Sequence, residues 1–158
     1  MKCIIFAYFE INILIICVFR QIADIVYTTM IEKIEENKLK KILIADDEEL
    51  IRWSLGKFLE KEGYSVDSVM NGNKALQMLE ENNYDVVVTD LEMPEIGGIE
   101  ILRSLEKKEK PPGIIIISSY FPEKIFLGTS RTNFLRFINK PFNIEDVVYE
   151  VKQAIELR

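Results

Sequence analysis

From Lys41 onward, short runs of wholly apolar residues alternate with longer stretches in which apolar positions recur every three or four residues. Unbroken apolar runs suit strands buried on both faces, and amphipathic stretches suit helices laid over them, so the alternation predicts a covered parallel sheet. The first strand spans residues 42–45 and ends in Asp46 and Asp47. The next segment sets Leu50, Ile51, Ser54, Leu55, Phe58 and Leu59 on one helical face and stops at Gly63, a helix C-terminal signal. Residues 64–69 form a second strand, and Ala75, Leu76 and Leu79 mark a helix that runs out at Asn82 and Asn83. A third strand over 86–88 delivers Asp90, and Pro94, Gly97 and Gly98 then turn the chain into a helix over 99–105. A fourth strand over 114–117 ends in Ser118 and Ser119. The segment 120–133 gives an irregular helix, because Gly128, Thr129 and Thr132 are poor helix formers. Residues 134–138 make a fifth strand, Lys140-Pro141 a turn, and 144–155 a terminal helix capped by Asn143.

The first 39 residues follow a different pattern. Residues 3–19 are apolar except for Glu10 and Asn12, close to the minimum length of a membrane span. A centred carboxylate costs about 2.5 to 3.5 kcal/mol on insertion, a large part of what so short a span could gain. A single Lys precedes the run and no small-x-small site follows it, so it is a poor cleaved signal. Three explanations stand: a start assigned too far upstream, with Met30 as the alternative; a membrane anchor; or a helix that packs on a partner. The expected organisation is an extension over 1–39 and one domain over 40–158.

Composition narrows the chemistry. With 158 residues and 48% hydrophobic content the chain holds one compact domain and an appendage. A formal net charge of -6 and the absence of any Lys/Arg-dense block argue against direct binding of nucleic acid. Cys3 and Cys17 form no CxxC pair, and they read as two reduced thiols in the apolar extension. The chain has no histidine, so His-based triads, most zinc sites and any phosphohistidine role are excluded.

The remaining polar residues of interest all stand at strand ends, where open parallel sheets bind their ligands. Asp46 and Asp47 follow the first strand, Asp90 the third, Ser118 the fourth and Lys140 the fifth. Carboxylates a few ångströms apart repel, so either one is protonated or a cation joins them. Oxygen-only ligands favour a hard cation, and Mg²⁺ is content with one or two carboxylates, water and a phosphate oxygen. Lys140 adds a second positive group and Ser118 a hydroxyl donor, which together describe a stabilised phosphoryl site. Asp90 is the preferred attacking carboxylate, because it leads into a Gly-containing loop whose amides can reach phosphate oxygens.

The runs KKILIADDEELIRWSLGKFLEKEGYSV, YDVVVTDLEMPEIGGIEIL, IIIISSY and FINKPF together resemble the receiver domain of two-component response regulators. The resemblance covers residues 40–158 and implies an α/β, flavodoxin-like fold: a doubly wound five-stranded parallel sheet of order 2-1-3-4-5. Carried over by position, it makes Asp90 the phosphoacceptor, Asp46 and Asp47 the metal-binding acidic pair, and the carbonyl of Glu92 a further Mg²⁺ ligand. It makes Lys140 the phosphate-contacting lysine, with a cis Lys140-Pro141 bond, Ser118 the hydroxyl switch and Phe137 the aromatic switch. IRWSL is most similar to receivers of the nitrogen-regulation class. Asn133 and Phe134 depart from the family's usual Gly and Ala, which puts the regularity of segment 120–133 in doubt.

The implied function is that of a stand-alone cytoplasmic receiver, not a dedicated enzyme, phosphorylated by a sensor histidine kinase or a histidine phosphotransfer protein and signalling to a downstream protein partner. Membrane attachment is open only through residues 3–19. The alternative is a non-catalytic or membrane-tethered receiver-like binding module. An Asp-nucleophile phosphatase fits less well, since its second acid normally follows the nucleophile by two residues and position 92 is Glu.

Overall fold

A computed structural model of the chain describes residues 20–29, 39–120 and 135–156. The apolar run 3–19, the alternative start Met30, and segment 121–134 with Asn133 and Phe134 lie outside the described residues. The chain divides into two units, Met1–Lys38 and Leu39–Arg158. In the first, residues 20–29 are helical and exposed, and the hydroxyls of Thr28 and Thr29 each donate to the carbonyl four residues earlier at 2.8 Å. Among the described residues no helix is long and apolar enough to cross a membrane.

The second unit is a five-stranded sheet of β1 (Lys41–Ala45), β2 (Ser65–Val69), β3 (Val86–Asp90), β4 (Gly113–Ser118) and β5 (Leu135–Asn139), in the order β2-β1-β3-β4-β5. All four pairings are parallel. Four described helices accompany it: α1 (Glu49–Lys61), α2 (Gly72–Glu81), α3 (Gly98–Leu105) and α4 (Ile144–Glu156). Side chains alternate across a strand with period two, so each apolar run supplies two cores. Leu43, Ala45, Val87, Ile114, Ile116 and Leu135 pack on one face with Ala75 and Leu79 of α2 and Ile101, Leu102 and Leu105 of α3. Ile42, Ile44, Val86, Val88, Ile115 and Ile117 pack on the other with Leu55 and Leu59 of α1 and Val147 and Val151 of α4. Every residue of β3 and β4 is buried, as central strands covered on both sides require.

Local signals set the helix ends. The Asn71 side chain caps α2 by accepting from Lys74 N at 2.8 Å, and Gly63, at φ 91°, turns the chain after α1 in a conformation that costs glycine little. The face expected for α1 needs correction. Its buried stripe is Leu55 and Leu59 with Ile51 partly covered, whereas Leu50 is 74% and Phe58 42% exposed. Residues 51, 55 and 59 repeat at four and face the sheet, and 50 and 58 lie one residue, about 100°, to the side. Trp53, on the same helix, is exposed.

The amino edge of the sheet is tied by side chains. Tyr84 donates its hydroxyl to Asp67 Oδ2 at 2.7 Å, Lys41 Nζ lies 2.9 Å from the same oxygen, and the ammonium stands 4.8 Å from the centre of the Tyr84 ring. The carboxyl edge is left free to carry chemistry.

Candidate functional site

Four strands, β1, β3, β4 and β5, bring polar residues to that carboxyl edge. Asp46 follows β1, and its geometry is fixed from the backbone outward: its N–H donates to Val69 O at 3.3 Å and its carbonyl accepts from Arg52 NH1 at 2.8 Å. Its Oδ1 accepts from Glu48 N at 2.8 Å, which leaves Oδ2 buried with no hydrogen-bond partner. Burial raises the Asp46 carboxyl above its ordinary value; the Glu48 amide and the Lys140 ammonium oppose this, and the charges of Asp90 and Glu48 add to it.

Asp90, the last residue of β3, is also buried. Its Oδ1 accepts from Glu92 N at 3.0 Å and its Oδ2 from Lys140 Nζ at 2.5 Å. Gly98 allows the β3–α3 loop to fold back here, since a Cβ at that position would stand 2.6 Å from the Asp90 carbonyl oxygen. Ser118 ends β4; its carbonyl accepts from Lys140 N at 2.9 Å, and its buried hydroxyl oxygen accepts from Tyr120 N at 3.2 Å. The Lys140-Pro141 peptide that follows β5 is cis.

Lys140 draws the cluster together. Its ammonium lies 2.5 Å from Asp90, 3.2 Å from Glu48 and 3.6 Å from Asp46. Burial alone would lower its pKa, but the hydrogen bond to Asp90 and the charges of Asp46 and Asp90 outweigh that and raise it, so the lysine stays charged. Ligand oxygens of Asp46, Glu48 and Asp90 lie within 4.8 Å of one another, a spacing one cation can span. A carboxylate-only set, two of its members buried and one buried oxygen without a hydrogen bond, fits Mg²⁺.

Of the residues singled out in the sequence, the structure brings Asp46, Asp90 and Lys140 into contact and sets Ser118 on the adjoining strand end. Asp47 is exposed and outside that three-carboxylate group, and Glu92 reaches Asp90 through its amide. Phe137 pairs with Ile116 and packs, partly buried, on the α2/α3 core. Sequence reasoning did not pick out Glu48 and Arg52. For Glu48 a signal existed: a long side chain at a helix N-cap, where short oxygen-bearing ones are favoured.

Acidic groups and a lysine thus meet at the carboxyl edge of a doubly wound parallel sheet, the place where such folds bind ligands. The chain belongs to the response regulator receiver domain family, whose model matches residues 42–152. It is 36% identical to the transcriptional regulatory protein ResD of Bacillus subtilis over 73% of its own length and 48% of that protein, so it spans about half of this relative. It is 31% identical to the response regulator receiver protein CpdR of Brucella abortus, covering 74% of this chain and 98% of that one. Among solved structures, the response regulator TrrA of Thermotoga maritima, in complex with Mg²⁺ and BeF, aligns with a TM-score of 0.63 and 35% identity over 73% of this chain and 99% of that one. Receiver domains are signalling modules that interact with histidine kinases or phosphotransfer proteins.

Proposed function

We propose that the domain over residues 40–158 accepts a phosphoryl group on Asp90, delivered by a sensor histidine kinase or a histidine phosphotransfer protein, and signals to a downstream protein through a change in its surface. The observation that carries this reading is the Lys140–Asp90 pair beside the buried Asp46 oxygen that has no hydrogen bond. In transfer from a small donor such as acetyl phosphate, an Asp90 oxygen bonds to phosphorus while the bond from phosphorus to the acetate oxygen breaks, and its electron pair leaves with acetate.

Asp46 and Asp90, joined by Asp47 and the Glu92 carbonyl as the family resemblance implies, would hold Mg²⁺. A bound Mg²⁺ supplies charge neutralisation for the negative donor. Lys140 stays charged and binds a phosphoryl oxygen, and the Ser118 hydroxyl turns to donate to another. The relative TrrA, solved with Mg²⁺ and BeF, supports the pairing of this fold with such a ligand.

Intact-protein mass spectrometry after incubation with acetyl phosphate and Mg²⁺ is expected to show one added phosphoryl group, absent without Mg²⁺ and absent in Asp90→Asn. Unchanged labelling of Asp90→Asn would place the acceptor elsewhere.

A further inference from the structure

Glu48 holds the N-cap position of α1, with extended backbone at φ -81° and ψ 113°, but its side chain makes no capping bond. A helix start is stabilised by a short oxygen-bearing cap, which this position forgoes. The Glu48 carboxylate is directed instead across the sheet edge, where Oε1 meets Lys140 Nζ at 3.2 Å, 92 residues away in sequence. One ammonium is thereby shared among three carboxylates. They are not equivalent: the side chain of Glu48 is 61% exposed, against 3% for Asp46 and 7% for Asp90. Glu48 therefore holds the lysine from the solvent side, the side from which a phosphodonor must arrive.

We propose that Glu48 is a positioning residue that competes with the phosphoryl group on Asp90 for the Lys140 ammonium. The inference rests on Asp90 being the acceptor. An ammonium has three donors on a flexible four-carbon stem and can serve several oxygens by small movements. Once an Asp90 oxygen joins phosphorus, negative charge passes from the carboxylate to the phosphoryl oxygens, and Lys140 follows it outward. There the ammonium meets Glu48, whose carboxylate both retains it and repels the phosphoryl oxygens. Glu48→Gln keeps the side-chain length and a hydrogen-bond acceptor while removing the competing charge. Glu49, in the first turn of α1 and exposed, is acidic but belongs to none of the Lys140 ion pairs, so Glu49→Gln is a control with the same change in net charge.

The test uses the full chain in two arms. In the first, metal-free protein carrying ¹³C-labelled lysine is compared by NMR. The Lys140 ¹³Cε signal is expected to shift in Glu48→Gln and to stay in place in Glu49→Gln, and an unmoved signal in Glu48→Gln would overturn the proposal. In the second, beryllofluoride is titrated with Mg²⁺ present. Glu48→Gln is expected to bind it about two- to fivefold more tightly, the range set by the strength of a partly exposed ion pair, with no change for Glu49→Gln. A purely structural role would weaken binding instead. Equal tightening in both variants would show a general charge effect, and weaker Mg²⁺ binding in Glu48→Gln would make Glu48 a metal ligand; either overturns the proposal. Failure of the wild-type chain to bind beryllofluoride would remove the acceptor reading of Asp90 and the proposal with it, a result distinguishable because the first arm needs no phosphate mimic.

Discussion

Asn73 Nδ2 donates to Glu95 Oε2 at 2.6 Å, tying the start of α2 to the loop that follows Asp90. Glu95 sits at φ 66°, the left-handed region that a side chain with a Cβ enters at a cost of about 1–2 kcal/mol. The loop is held in this form because Gly72 lies directly against it: a Cβ there would stand 2.1 Å from the Ile96 carbonyl oxygen. Glu95→Gly should relieve the backbone and raise stability by about 0.5 kcal/mol after the lost hydrogen bond is counted. Glu95→Val should lower it by more than 1 kcal/mol. Urea unfolding of both variants checks this, and a stabilised Glu95→Val would refute the strain argument.

Asp46 places a pH-dependent load on the metal-free fold. Its folded pKa is raised by burial above 3.8, so its contribution to stability is present below that value and is lost as pH rises through the raised one. Wherever Asp46 is ionised, its buried Oδ2, with no hydrogen bond and only the 3.6 Å ion pair to Lys140, therefore opposes folding. Asp46→Asn, which can still accept from Glu48 N, should be more stable than wild type by about 1 kcal/mol at pH 7 without Mg²⁺, with the advantage gone near pH 3. Added Mg²⁺ should stabilise wild type and leave Asp46→Asn unchanged. Asp47→Ala, at an exposed position, should shift metal-free stability by less than about 0.5 kcal/mol. Urea melts at both pH values decide it; an Asp46→Asn protein less stable at each would make the carboxylate structural.

At the opposite edge the sign is reversed. Burial pushes the Asp67 carboxyl up, but the Tyr84 hydroxyl and the Lys41 ammonium outweigh it and hold its pKa below 3.8. Its stabilising contribution is present above that value and is lost as pH falls through the lowered one. Tyr84→Phe removes one of the two bonds and should cost about 1 kcal/mol at pH 7. The gap to wild type should narrow below about pH 4, as Asp67 takes up its proton. A gap that persists at pH 2 would attribute the loss to packing of the Tyr84 ring.

The sheet was legible because its central strands are apolar on both faces: the runs at Ile42, Val86 and Ile114 admit little other than a covered parallel sheet. Strand edges were legible to within two residues: β3 runs on to Asp90 where the pattern gave 86–88, and β5 ends one residue later than expected, at Asn139. The site was legible only as far as position in sequence implies position in space. Asp46, Asp90, Ser118 and Lys140 each end a strand, and parallel strands bring such ends together. Glu48 was missed because its role is set by side-chain reach, not by its element: it lies in the turn before α1, and only the three-dimensional crossing to β5 reveals its partner. Leu50 misled for a related reason, since periodicity marks an apolar flank without showing how far the opposing surface extends to cover it.

Ser118 and Phe137 are proposed to form the path from the site to the surface. Ser118 lies two and four residues beyond Ile116 and Ile114, so its side chain leaves β4 on the side where Phe137 pairs with Ile116. Its hydroxyl oxygen now accepts from Tyr120 N at 3.2 Å and is free to rotate its proton toward a phosphoryl oxygen on Asp90. Drawing the hydroxyl inward loosens the Tyr120 contact and opens space beside β5, into which the partly buried Phe137 ring can turn. A phenylalanine gains from burial alone, so the two ring positions should lie within about 2 kcal/mol of each other, close enough for one added hydrogen bond to shift the balance. Ser118→Ala should therefore still take a phosphoryl group on Asp90 but lose most of the response around Phe137. Amide NMR shifts of residues 135–139 with and without beryllofluoride measure that response. If the mimic moves Phe137 equally in Ser118→Ala and in wild type, the hydroxyl does not couple the site to the surface.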